Sequence, residues 1–143
     1  MTPAPLSATR AASALVLLLA LAACGTAGRE AAPLKCVVRV YFCTELTCGT
    51  AATRAEVAAA RRRLNAREDV WSIRFVSKAE ALRLMRKRYP EEVANLHSNP
   101  FPDALRVRPL KGADRAEIAA AAGSRRGGVE RVAFPRDPTC VGR

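Results

Sequence analysis

Three stretches of the chain alternate apolar and polar residues at the two-residue period of a strand, and a fourth strand is predicted after a glycine turn. Cys36–Phe42 alternates through Val38, Val40 and Phe42. Val70–Val76 sets Trp71, Ile73 and Phe75 on one face and Ser72 and Arg74 on the other. Ala104–Arg108 turns Leu105 and Val107 inward and Arg106 and Arg108 outward, and Val129–Phe134 follows a Gly127-Gly128 turn. Helices are predicted between them. Thr53-Arg54-Ala55-Glu56 has the threonine-to-glutamate spacing of a capping box and opens a helix running to about Asn65. Its inner face is Val57, Ala60 and Leu64, with Arg61, Arg62 and Arg63 largely outside. Ser77-Lys78-Ala79-Glu80 is a second such box, starting a helix that Pro90 ends. Glu91 to Asp103 is irregular, with one short helical turn expected after Pro90. Asp114-Arg115-Ala116-Glu117 caps a third, alanine-rich helix that stops at Gly123.

With the middle helix set aside as an insertion, this order is the split βαβ of a ferredoxin-like fold. The predicted class is therefore α+β: a ferredoxin-like sandwich with a small helical lobe inserted between strands two and three. In that topology the fourth strand runs antiparallel to the first and ends beside Cys36.

Length allows one ordinary domain, at 143 residues. The 50% apolar fraction overstates its core, because 29 of those residues are alanine. A small core often needs covalent help. Basic residues number 24 against 13 acidic, a net +11, and 20 of the 24 are arginine. In the cytosol that balance would suggest nucleic acid, but the N-terminus points elsewhere. Ala11–Ala23 is interrupted only by Ser13 and spans roughly 20 Å as a helix, short of a hydrocarbon core of about 30 Å. It reads as the apolar region of a secretory signal. The run closes on Leu21-Ala22-Ala23-Cys24, which looks like a bacterial lipobox, whose cysteine thiol takes the lipid. Residues 1–23 are thus read as a lipoprotein signal peptide, 24–34 as a lipidated tether and 35–143 as the domain. The expected location is extracytoplasmic, anchored to the bacterial cell membrane by the N-terminal lipid at Cys24 only. Nucleic acid is not an expected partner there, and no other stretch is apolar enough to cross a bilayer.

If Cys24 is lipidated, four of the five cysteines remain, which suggests two disulfides in an exported chain. Cys36 and Cys43 lie at either end of one strand, roughly 23 Å apart, too far to pair. Cys43 and Cys48 flank a short loop and meet easily, which leaves Cys36 with Cys140. A metal is a poor alternative: there is no Cys-x-x-Cys and only one histidine, His97. Catalysis is equally hard to build, since paired cysteines leave no free thiol for a Cys–His dyad. Glu91 and Glu92 are neighbours on the chain and need not converge on one substrate. The expectation is a non-enzyme without cofactor.

Two motifs bring a family into view: Val76-Ser77-Lys78-Ala79-Glu80-Ala81-Leu82 after strand two, and Asn99-Pro100-Phe101-Pro102-Asp103-Ala104 before strand three. With the Arg67–Trp71 approach and Gly128-Val129-Glu130-Arg131-Val132, they make the chain resemble the extracytoplasmic domain of the bacterial cell-division protein FtsX, over roughly Val37 to Phe134. The resemblance implies a small mixed domain with a helical lobe after strand two. It further implies recruitment or activation of peptidoglycan hydrolases or their activators outside the membrane. In FtsX an ATPase drives that domain through transmembrane helices. This sequence shows the outer domain with a lipobox and no permease, so no direct ATPase contact is expected.

Two surfaces are candidates for binding. The inserted segment carries more apolar residues than one capped helix needs: Ala81, Leu82, Met85 and Tyr89 fall within about 100° of a helical wheel, and Leu84 lies roughly 60° outside. Leu96 and Phe101 follow, the latter between two prolines that could present its ring at a fixed angle. Leu84, Met85, Tyr89, Leu96 and Phe101 are the expected contacts for a peptidoglycan hydrolase or another envelope protein. The alternative surface is the sheet face opposite the helices, where Arg39, Arg74, Arg106, Arg108 and Arg131 are all predicted outward, with Tyr41 among them. Outside the cell such a face suits an anionic envelope polymer or lipid.

Overall fold

The computed structural model describes residues 28–140 of the chain. Signal peptide, lipobox and Cys24 lie outside the described residues. Four strands form one antiparallel sheet: β1 (Val38–Phe42), β2 (Val70–Val76), β3 (Ala104–Pro109) and β4 (Val129–Ala133), in the order β2-β3-β1-β4. Five helical segments accompany them: α1 (Glu45–Cys48), α2 (Arg54–Asn65), α3 (Lys78–Arg88), α4 (Pro90–Val93) and α5 (Arg115–Ala122). This is the ferredoxin-like order with α3 and α4 inserted between β2 and β3.

Alternation decides which residues make the core. Val38, Val40 and Phe42 of β1 and Leu105 and Val107 of β3 are at most 2% exposed, packed with Leu64 of α2 and Ile118 of α5. Helices α2 and α5 therefore cover one sheet face and leave the other uncovered by them. The α2 capping box is reciprocal: Glu56 N–H donates to Thr53 Oγ1 at 3.2 Å, and Thr53 N–H donates to Glu56 Oε2 at 2.7 Å. The Thr53 N–H first, and then the Thr53 hydroxyl donating to the same Oε2 at 2.9 Å, hold the Glu56 carboxyl below the usual carboxylate range.

Several boundaries and partners differ from expectation. Leu34–Cys36 is a 3-10 turn, so β1 starts at Val38; the Cys36 N–H is used by the Pro33 carbonyl at 2.8 Å and is lost to the ladder. The segment between Cys43 and Cys48 is a helical turn, α1, capped by Thr44 and Thr47. Strand β3 runs one residue further, to Pro109, and β4 ends at Ala133. The second capping box is only half made. Ser77 Oγ accepts from Glu80 N–H at 3.1 Å, but the Glu80 carboxylate turns to Arg74 instead. Trp71 leaves the pattern because a register shift falls between Val70 and Ser72; it is 53% exposed, whereas Ile73 packs on the core. Arg63 is more than solvent-facing charge: its guanidinium donates to the Ala121 and Ala122 carbonyls at 2.9 and 2.8 Å, closing the end of α5.

Part of the 24–34 segment, expected as tether, is held by the fold. Lys111 N–H donates to the Glu30 carbonyl and Ala32 N–H to the Pro109 carbonyl, Ala31 bridges Leu110, and Ala32 is buried. Residues 30–32 thus belong to the domain, because the end of β3 runs past the start of β1 and offers them backbone partners. Two disulfides close the fold, Cys36–Cys140 and Cys43–Cys48.

Candidate partner-binding site

The lobe leaves the sheet at Val76 and returns at Ala104, and these two residues are register partners. Its base is tied by the two motifs singled out in the sequence. Lys78 N–H donates to Asp103 Oδ1 at 2.7 Å, and Asn99 Nδ2 donates to the Lys78 carbonyl at 2.7 Å. Phe101 N–H donates to Asn99 Oδ1 at 3.0 Å, which turns the chain between the prolines. The start of α3 is thus held at one residue, Lys78, through both its N–H and its carbonyl. Asp103 satisfies a helix N-terminal donor that Ser77 does not reach.

Above that base the lobe has little interior. Val93 is its one buried large side chain, and α3 contains no buried residue. Leu84 is 44% exposed and Tyr89 and Leu96 are each 38% exposed, while Met85 and Leu82 are half-buried. The Arg88 guanidinium sits 5.5 Å from the centre of the Tyr89 ring. Exposed Arg83, Arg86, Lys87 and Arg88 surround these side chains on α3, and Glu91 and Glu92 are exposed on α4. Four of the five expected contacts therefore lie in the α3–α4 part of the lobe, Leu84 and Met85 on α3, Tyr89 at its end and Leu96 just after α4. Phe101 stands apart. It is half-buried and lines a cleft of about 430 Å³ with Phe42, Leu46, Ala51 and Ala52, whose walls include none of the other four. The Asn99 turn directs it toward α1 rather than along α3.

Sequence reasoning missed Leu46, which is 82% exposed at the rim of that cleft. The available signal was a lone leucine inside a short, polar, disulfide-closed loop. It also missed Phe75, 38% exposed, which lines a second recess of about 270 Å³ with Val57 and Ala58. Edge position accounts for part of this: β2 is an edge strand, with a neighbouring strand on one side only.

The five arginines share the sheet face away from α2 and α5 by register: Arg39 faces Arg106, Arg106 faces Arg74, and Tyr41 faces Arg131. Arg108 is two residues along β3 from Arg106, and its Nε donates to the Ala32 carbonyl at 2.7 Å. His97 is an exposed loop residue. Among the described residues no His, Cys, Asp and Glu cluster stands where it could hold a metal ion, and no helix is long and apolar enough to cross a membrane.

The model of the FtsX extracellular domain family matches residues 35–138. The chain belongs to that family. Domains of that family are extracellular modules of cell division, regulatory as a class. Extracellular domain 1 of FtsX from Streptococcus pneumoniae, solved in complex with undecyl-maltoside, is similar at 20% identity and a TM-score of 0.52, covering 71% of this chain and 96% of its own. The solution structure of the large extracellular loop of FtsX in S. pneumoniae is 19% identical, with a TM-score of 0.47, covering 68% and 97%. The first likeness supports the fold. No curated protein matches the chain.

Proposed function

We propose that this FtsX extracellular-type domain is a lipid-anchored binding module that engages a peptidoglycan hydrolase, or another envelope protein of cell division, through its helical lobe. The observation that carries the reading is placement. Residues 30–32 join the domain at the Pro109 end of β3, whereas the lobe springs from the Ala104 end, about 17 Å away along the strand. A chain held at Cys24 would present Leu84, Met85, Tyr89 and Leu96 on the side away from its anchor. Their exposure above a single buried valine leaves apolar surface that a partner can cover. The S. pneumoniae domain was solved with an alkyl glycoside, and an apolar lobe of this kind suits an alkyl chain as well as a protein helix.

The test pairs Leu84→Glu with Leu96→Glu. Each side chain would bury part of its area, worth about 1.5–3 kcal/mol when complete, so affinity for an identified wall hydrolase should fall at least tenfold while the far-ultraviolet spectrum stays unchanged. Binding should persist at high salt. An unchanged affinity would remove the lobe from the reading. In the same cells Cys24→Ser should move the protein out of the membrane fraction, and retention there would refute the anchor.

A further inference from the structure

Three arginines stand side by side across the sheet: Arg39 on β1, Arg106 on β3 and Arg74 on β2, each directly opposite the next. Directly opposed residues have Cβ atoms about 4.5–5.5 Å apart, and like charges there destabilise a sheet. Only Arg74 has a carboxylate, that of Glu80. Among the described residues Arg39 and Arg106 have no acidic partner. Arg131, next to this row on β4, lies 4.4 Å from the centre of the Tyr41 ring and 3.9 Å from Glu130. The face therefore carries five arginines against two carboxylates, and a repulsion the fold itself does not relieve.

We infer that this sheet face docks on an anionic phospholipid surface. Guanidinium groups are planar forks matched to phosphate oxygens, and a row spaced at about 4.8 Å per strand offers several forks to neighbouring headgroups. Tyr41 adds an amphipathic ring of the kind that sits at headgroup level. Lipid is favoured over a soluble polyanion by where the chain joins. Arg108 of this same face holds the Ala32 carbonyl, and Glu30, the first of the residues held there by the domain, is six positions from Cys24, a reach of at most about 22 Å. A domain so tethered can lie with its arginines on the bilayer. The choice of lipid rests on the anchor proposed above, whereas docking itself is tested without Cys24, so the two can fail separately.

The chain from Gly28 onward contains every described element and both disulfides. It should sediment with vesicles of phosphatidylcholine and phosphatidylglycerol, remain free of phosphatidylcholine alone, and be released as salt rises, since exposed charges are screened beyond about 10 Å at 0.1 M. Arg39→Gln, Arg106→Gln and Arg131→Gln together should weaken vesicle binding about 100-fold and melt no lower than the parent, because like-charge contacts are removed. Should that variant melt lower, Arg106→Gln alone, expected about fivefold weaker, decides. A control of equal charge change on the helical side, Arg61→Gln, Arg62→Gln and Arg126→Gln, should lose much less. Equal loss in the control, unchanged binding in the sheet variant, or capture of soluble polyphosphate without capture of vesicles would each overturn the inference.

Discussion

Asp69 is gripped by Arg67 through both oxygens, each at 2.8 Å, and Arg67 also reaches Glu117 on α5 at 3.4 Å. The bonded guanidinium holds the Asp69 carboxyl below its ordinary value. Thr139 first, then Lys35, lower Asp137 in the same direction beside the Cys36–Cys140 bridge, and Thr53 lowers Glu56. Folding lowers all three, so each stabilises the fold above its unfolded value of about 4 and loses that contribution as pH falls through the folded value. Thermal melts should therefore be flat from neutral pH to about 5 and then fall. Asp69→Asn should lower the neutral melting point and make the acid limb shallower; an unchanged limb would show that Asp69 does not contribute. Such pairs were not legible in the chain, because an Arg-x-Asp spacing has no meaning until the approach to β2 is bent. The Asn99 and Asp103 bonds to Lys78 are a middle case. Both motifs could be read as caps and turns from residue type, but only the fold shows that they close on one residue, Lys78.

At the scale of elements, the helix starts were legible because a side-chain oxygen three residues before a glutamate meets a purely local need for donors. The sheet order was legible because alternation and connection lengths leave few topologies. What failed was set by neighbours. The Trp71 irregularity depends on its pairing with β3, and the rim position of Leu46 depends on how far Phe101 is turned. Gly128 shows the same coupling in testable form. It has a positive φ of 76°, and a Cβ there would lie 3.0 Å from the Ala52 Cβ and 3.1 Å from the Glu56 Cβ. Gly128→Ala should destabilise by about 1–3 kcal/mol, through strain at the start of β4 and pressure on the α2 cap. Gly127→Ala, whose Cβ would meet nothing nearer than an Arg63 guanidinium nitrogen at 4.0 Å, should cost much less in urea denaturation. Equal costs would place the effect in the unfolded chain rather than in the contact with α2.

Across the whole molecule, the two disulfides do different work because they close loops of different length. Cys36–Cys140 spans a sequence separation of 104 and Cys43–Cys48 one of 5. In the chain-entropy account these correspond to about 4.7 and about 2 kcal/mol. Removing the long bridge as Cys36→Ser with Cys140→Ser should therefore lower stability by roughly twice as much as removing the short one. Their consequences for binding should be reversed. The long bridge ties the turn before β1 to the segment after β4, at the end where residues 30–32 join, so lobe contacts through Leu84 and Leu96 should survive its loss at temperatures where the sheet is intact. The short bridge holds α1 against the cleft that Phe101 and Leu46 line, so its loss should alter any contact made there at the smaller of the two costs in stability. Stability and hydrolase affinity measured on both variants separate the roles. A larger stability loss from the short pair would refute the entropic account, and an affinity loss from the long pair in the folded state would mean that the lobe and the end where residues 30–32 join are coupled through the sheet.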